Sequence, residues 1–285
     1  MSASSSVPTI HIPEMLERYD ALLIDAYGVL VHRDGSFPGA AAFIEHLHAT
    51  NKPYCVLTND ASRNSETAAR SYKRKGVELP AEAVITSGSL IGSYIQDNGL
   101  QGAPCLVMGT DDSRAFVTQA GGRVVEGWDS DDVEAVIVCD DAGYPFLETV
   151  EATISMLFRR LDAGKSTHLV VANPDLIYQK NEREVGITGG SIALLIEHAL
   201  QLRYMSEQHT FVRLGKPHSP IFEQAVKKLQ TRNVLMIGDQ VRTDIQGANN
   251  FGIDSALIAT GVVQVNLEEL RSDWVPTYIL PSLTQ

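Results

Sequence analysis

Residues 21–30 read Ala-Leu-Leu-Ile-Asp-Ala-Tyr-Gly-Val-Leu. Four apolar residues in succession end in Asp25, and a glycine-bearing turn follows. A continuous apolar run, rather than an alternating one, is what a parallel strand covered on both faces requires. Three other stretches repeat the pattern: Tyr54–Asn59 (YCVLTN), Val234–Asp239 (VLMIGD) and Ser255–Thr260 (SALIAT). Amphipathic segments at Gly39–Thr50, Ser65–Gly76, Ser219–Gln230 and Thr243–Gly252 alternate with them. The rhythm predicts an α/β fold, a doubly wound (Rossmann-like) parallel sheet with right-handed crossovers.

A second group of strand-like runs lies between these: Cys105–Gly109, Ala135–Asp140 and His168–Asn173. Helical patterns near Asp111–Ala120, Phe146–Ala163 and Gly190–Arg203 accompany them. Two polar segments, Asn98–Gly102 and Met205–His209, bracket the region and read as paired hinges. The expected organisation is a discontinuous core, 1–100 and 210–285, carrying an α/β domain inserted at 101–209. A chain of 285 residues suits two domains of roughly 100–200 residues each.

Composition narrows the function. The chain carries 23 Lys+Arg against 35 Asp+Glu, a net charge of −12. Such a surface repels nucleic-acid backbones at long range, so no nucleic-acid partner is expected. A small phosphorylated substrate remains compatible, because a site can be locally positive or hold a cation. The three cysteines, Cys55, Cys105 and Cys139, are scattered through apolar stretches and read as buried thiols of a reducing compartment. No apolar run approaches the roughly 20 residues of a membrane span, and the first residues lack a basic segment followed by an apolar one. A cytoplasmic protein without a membrane partner is the expectation.

Ligands of open α/β sheets bind at the carboxyl ends of the strands. Here those ends carry Asp25, Thr58-Asn59 and Asp239, with Asp244 shortly after and Lys216 shortly before the last strand. Two carboxylates on neighbouring strand ends repel each other unless a cation lies between them. Mg²⁺ suits the arrangement, being hard, oxygen-seeking and content with one or two protein carboxylates plus water and phosphate. A hydroxyl, an amide and a lysine would hold the non-bridging phosphate oxygens. The chemistry permitted is in-line transfer of a phosphoryl group to a carboxylate, followed by hydrolysis.

The series Asp25-Ala-Tyr-Gly-Val-Leu, Thr58-Asn59, Gly215-Lys216-Pro217 and Gly238-Asp239 with Asp244 resembles the four motifs of the haloacid dehalogenase superfamily, in the correct order. The intervals are 33 residues from Asp25 to Thr58, 158 to Lys216 and 23 to Asp239. Asn173-Pro-Asp175 and Gly189-Gly190 resemble features of the class IIA cap, the NagD-like and 4-nitrophenyl-phosphatase-like subfamily, in which the cap enters after the second motif. The resemblance implies a Mg²⁺-dependent phosphatase, a phosphoric monoester hydrolase acting on a small phosphorylated metabolite such as a sugar phosphate. Asp25 would be nucleophile and metal ligand, with the Tyr27 carbonyl, Asp239 and Asp244 completing or supporting the metal shell. Thr58, Asn59 and Lys216 would hold the phosphate, and Asn173, Asp175, Gly189 and Gly190 would face the substrate from the cap. Val31–Pro38 would be the flap beside the site. A homodimer through the cap is a further implication.

One position departs from the pattern. The superfamily's hydrolases read Asp-x-Asp, the second Asp protonating the leaving alkoxide, and this chain has Tyr27 there. General acid–base help contributes typically ~10²–10⁴-fold, and a phenol with a pKa of about 10 is a poor base at neutral pH. Three readings stay open: substrates with good leaving groups, a surrogate acid among His32, Asp34 and Asp60, or a phosphometabolite-binding protein or phosphotransferase with impaired hydrolysis. Other motifs fail on context. Gly164-Lys165-Ser166 lacks the leading glycine of a P-loop and follows a helix rather than a strand.

Overall fold

A computed structural model describes residues 7–125, 131–181, 183–205, 209–259 and 270–284. In chain order its strands are β1 (Ala21–Asp25), β2 (Tyr54–Thr58), β3 (Val84–Thr86), β4 (Pro104–Met108), β5 (Arg123–Val124), β6 (Ala135–Val138) and β7 (His168–Val171). Then come β8 (Ile177–Gln179), β9 (Val185–Ile187), β10 (Val212–Arg213), β11 (Val234–Gly238), β12 (Asp254–Ile258) and β13 (Tyr278–Leu280). The chain divides into two compact units. The first comprises the chain up to Thr58, Ser65–Ile85 and the chain from Lys216; the second comprises Asn59–Asn64 and Thr86–Gly215.

The first unit is built on a six-stranded sheet in the order β13-β12-β11-β1-β2-β3. Its pairs β12–β13, β11–β12, β1–β11 and β1–β2 are parallel, as the apolar runs predict. Strands β1, β2 and β11 are buried at all five positions, so helices and loops cover the sheet on both faces. Chain order reverses between β1 and β11, which opens a crevice at their carboxyl ends. Register places Asp25 beside Leu57 and Ile24 beside Ile237, bringing Asp25, Thr58 and Asp239 to one edge of the sheet. The helix expected over Thr243–Gly252 begins instead as a turn of π-helix, Val241–Ile245, continuing as α-helix over Gln246–Phe251. The wider turn tucks Asp244 inward, where it is fully buried.

The second unit holds a parallel five-stranded sheet, β10-β7-β6-β4-β5, and an antiparallel hairpin of β8 and β9. Its limits differ from the expected 101–209. Helix Leu90–Asp97 belongs to it, because the Tyr94 hydroxyl bonds His168 Nδ1 at 3.0 Å. Residues 212–213 belong to it as a strand of its sheet, held by the ion pair of Arg213 with buried Glu197 at 2.9 Å. Of the expected hinge 205–209, residues 206–208 lie outside the described residues, as does the last residue of the predicted strand 255–260. The three cysteines are buried. No helix among the described residues is long and apolar enough to cross a membrane.

Candidate active site

Asp25 is the last residue of β1, and the four apolar residues before it leave its carboxylate as the strand's one polar side chain. Its Oδ1 accepts a hydrogen bond from Lys216 Nζ at 2.6 Å. The same ammonium donates to Asp244 Oδ1 at 2.7 Å and to the Leu57 carbonyl of β2 at 3.3 Å. Asp244 Oδ2 accepts from the Gln240 backbone N–H at 3.1 Å, so both of its oxygens are engaged. Lys216 and Asp25 are buried, at 3% and 5% exposure, which makes these bonds charge-assisted contacts in a region of low dielectric. Thr58 is buried at the end of β2.

Asp239 directly follows β11. Its Oδ1 is buried and has no hydrogen-bond partner among the described residues. One oxygen from each of Asp25, Asp239 and Asp244 lies within 4.8 Å of the others. Among the described residues, three carboxylates thus gather beside the Lys216 ammonium. Burial pushes the Asp25 carboxyl well above the usual carboxylate range; Lys216 pulls it down, while Asp244 and Asp239 push it further up. Burial and then Asp244 hold Asp239 up to about 7. Burial works to lower Lys216, but the carboxylates of Asp244 and Asp25 outweigh it and hold the ammonium above the ordinary lysine range. An all-oxygen donor set, an orphaned carboxylate oxygen and a shortage of positive charge together fit a hard divalent cation.

The loop after β1 is shaped around this group. Gly28 has φ +98°, and a Cβ there would fall 2.1 Å from Asp239 Oδ2. Only glycine fits both the backbone and the space. Gly28 belongs to the first motif, and a glycine just beyond a strand end is the sequence signal for such a close approach. The Tyr27 ring packs edge-on against buried Tyr72 at 6.1 Å.

The residues expected to face the substrate from the cap lie together in the second unit, and Asn59, expected to hold the phosphate, belongs to that unit as well. Asn59, adjacent in the chain to Thr58, donates from Nδ2 to Asp175 Oδ1 at 2.9 Å. Asn173 Oδ1 accepts from the Asp175 N–H at 3.0 Å, forming the turn that Asn-Pro-Asp suggests. Helix Gly189–Arg203 starts against that turn: a Cβ on Gly190 would lie 2.3 Å from the Pro174 carbonyl. Two of the three proposed surrogate acids, His32 and Asp34, lie outside the carboxylate group of their own unit. His32 and Asp34 are exposed, with His32 Nδ1 accepting from the Asp34 N–H at 3.3 Å. Asp60 Oδ1 accepts from the Ser62 N–H and hydroxyl at 2.8 and 2.7 Å.

Two family models match the chain. One, described as haloacid dehalogenase-like hydrolase, covers residues 22–123; the other, HAD-hydrolase-like, covers 213–285. The chain belongs to the haloacid dehalogenase-like hydrolases. Within the family, an acid sugar phosphatase of Staphylococcus haemolyticus is 27% identical, over 94% of this chain and 95% of that one. A crystal structure of a possible sugar phosphatase from Cytophaga hutchinsonii is 29% identical, with a TM-score of 0.83 over 98% of this chain and 99% of that one. The glycerol phosphate phosphatase of Mycobacterium tuberculosis, crystallised with magnesium, is 25% identical, with a TM-score of 0.79 over 94% of this chain and 76% of that one.

Proposed function

We propose that this haloacid dehalogenase-like hydrolase is a Mg²⁺-dependent phosphatase of small phosphorylated metabolites, sugar phosphates foremost. The observation that carries the reading is the convergence of Asp25, Lys216, Asp239 and Asp244 at adjoining strand ends. The names of the relatives support the substrate class. The magnesium of the mycobacterial phosphatase supports the metal.

Asp25, Asp239 and the Tyr27 carbonyl would hold the metal. When bound, Mg²⁺ supplies positive charge to the phosphoryl oxygens and keeps the carboxylates ionised. Asp244 has both oxygens engaged and would act by orienting Lys216 and the turn at Gln240. Lys216 fixes Asp25 Oδ1, leaving Oδ2 to attack phosphorus in line. The P–O bond to the leaving group breaks, giving an aspartyl-phosphate and an alkoxide that takes its proton from solvent water; a second water then attacks phosphorus, breaks the P–O bond to Asp25 and frees phosphate and the carboxylate. Thr58, Asn59 and Lys216 would hold the transferring group, while Asn173, Asp175 and the Gly189–Gly190 helix start would present the cap's recognition surface. The division into a catalytic core and an inserted cap follows the same reading.

The test is phosphate release from a panel of sugar phosphates, glycerol phosphate and 4-nitrophenyl phosphate, in Mg²⁺ and in EDTA. Release that requires the metal is the expected result. A panel that gives no metal-dependent release would overturn the proposal.

A further inference from the structure

We propose that Lys75 is a positioning residue of this site, fastening the loop that runs from Tyr27 to Arg33 so that Gly28 lies against Asp239. The inference rests on the reading of Asp25, Asp239 and the Tyr27 carbonyl as the metal-holding set.

Lys75 lies just beyond helix Ser65–Arg74, its backbone N–H donating to the Tyr72 carbonyl at 2.9 Å. Its ammonium donates to the His32 carbonyl at 2.8 Å and to the adjacent Arg33 carbonyl. The same nitrogen lies 5.8 Å from the centroid of the Tyr27 ring. A lysine ammonium carries three donors and a compact charge, so it can join two successive carbonyls and still face an aromatic ring.

The loop transmits this anchoring. The Gly28 N–H donates to the Val31 carbonyl at 3.0 Å, the His32 N–H to Gly35 at 2.9 Å, and the Phe37 N–H to Leu30 at 3.0 Å. Val31 also bridges Tyr27 and Ser36. Inside this closed loop, Gly28 approaches Asp239 so nearly that no side chain fits between them. A continuous set of contacts therefore runs from Lys75 through the flap to a carboxylate of the site. It also accounts for Tyr27: the ring rests on Tyr72 and faces Lys75, and an aspartate has no ring to make either contact. The residue that breaks the family's Asp-x-Asp pattern is here part of the clasp.

The experiment compares wild type, Lys75→Met and Lys75→Arg as full-length chains. Amide exchange is followed at Gly28 and His32, and Mg²⁺ binding by titration calorimetry. Loss of donors and charge in Lys75→Met is expected to speed exchange at these amides about tenfold, with the rest of the chain unchanged. Mg²⁺ affinity is expected to fall about tenfold as Asp239 loses its backstop. Lys75→Arg, which retains donors and charge, is expected to stay within about threefold of wild type in both. Unchanged exchange in Lys75→Met would overturn the inference. So would faster exchange with undiminished Mg²⁺ affinity, or an arginine variant no better than methionine. Neither readout needs turnover, so a chain that released no phosphate would sink the phosphatase reading and leave this one standing. A wild type that bound no Mg²⁺ would refute the metal set and this inference with it.

Discussion

Asp244 makes the most quantitative test of how the buried charges are held. Replacing it with alanine removes the acceptor 2.7 Å from Lys216 Nζ and the acceptor 3.1 Å from the Gln240 N–H. Unpartnering one side of a buried ion pair costs about 3–5 kcal/mol. Some of that is recovered, because Asp25 and Asp239 lose a like-charged neighbour. The expected loss is therefore near the lower end, about 3 kcal/mol. With a urea slope of about 2 kcal/mol/M, the midpoint falls by about 1.5 M. The assay is urea unfolding in EDTA, which removes any stabilisation by bound cation. The sequence has two tryptophans, so a Trp128→Phe background leaves Trp274, in the first unit, as the fluorescent reporter. Asp244→Asn, which keeps shape and one acceptor, should lose less than alanine does. A shift below about 0.3 M for Asp244→Ala would refute the reasoning, since it would mean that Lys216 needs only Asp25.

Other predictions follow from single contacts. Gly28→Ala should weaken Mg²⁺ binding in calorimetry, whereas Gly99→Ala, at φ +66° with open space around it, should cost only the roughly 1–2 kcal/mol of a left-handed residue and leave the metal untouched. Burial, then the Asp141 side chain, raise Asp140 to about 6, so its protonated form is the one the fold favours. That contribution is complete below the unfolded-state pKa and is lost as pH rises to about 6; thermal melts of wild type should lose stability from about pH 4 to 6 relative to Asp140→Asn. Burial raises Cys55 and Cys105 to about 11 and Cys139 to about 12. Mass spectrometry after alkylation at pH 8 should find all three unmodified in the native protein and modified in urea; labelling of the native chain would contradict the burial.

The sheet of the first unit was legible because its central strands are continuous apolar runs ending in polar groups, a pattern written within five or six residues. Strands β3 and β13, three residues each, and the hairpin β8–β9 were not, since short runs carry no period. The second compact unit differs from the expected 101–209 for a different reason. Helix Leu90–Asp97 and the pair Val212-Arg213 look the same whichever unit they join, and contacts with His168 and Glu197 decide it. In the site, the motifs named Asp25, Lys216, Asp239 and Asp244: Asp25 ends a strand and Asp239 follows one, while Lys216 and Asp244 were legible through the motifs that contain them. The fate of the Tyr27 side chain was not readable. It depends on Tyr72 and Lys75, which a different helix delivers, and the substitution at 27 alone says only that an acid is missing.

The central claim, that phosphoryl transfer passes through Asp25, is tested most directly by trapping. The wild-type protein is mixed with Mg²⁺ and a turned-over phosphate ester, quenched in acid and mapped by peptide mass spectrometry beside Asp25→Asn. A phosphoryl adduct on the peptide containing Asp25, absent from the variant along with phosphate release, is the predicted result. Phosphate release that persists in Asp25→Asn at the wild-type rate would contradict the account.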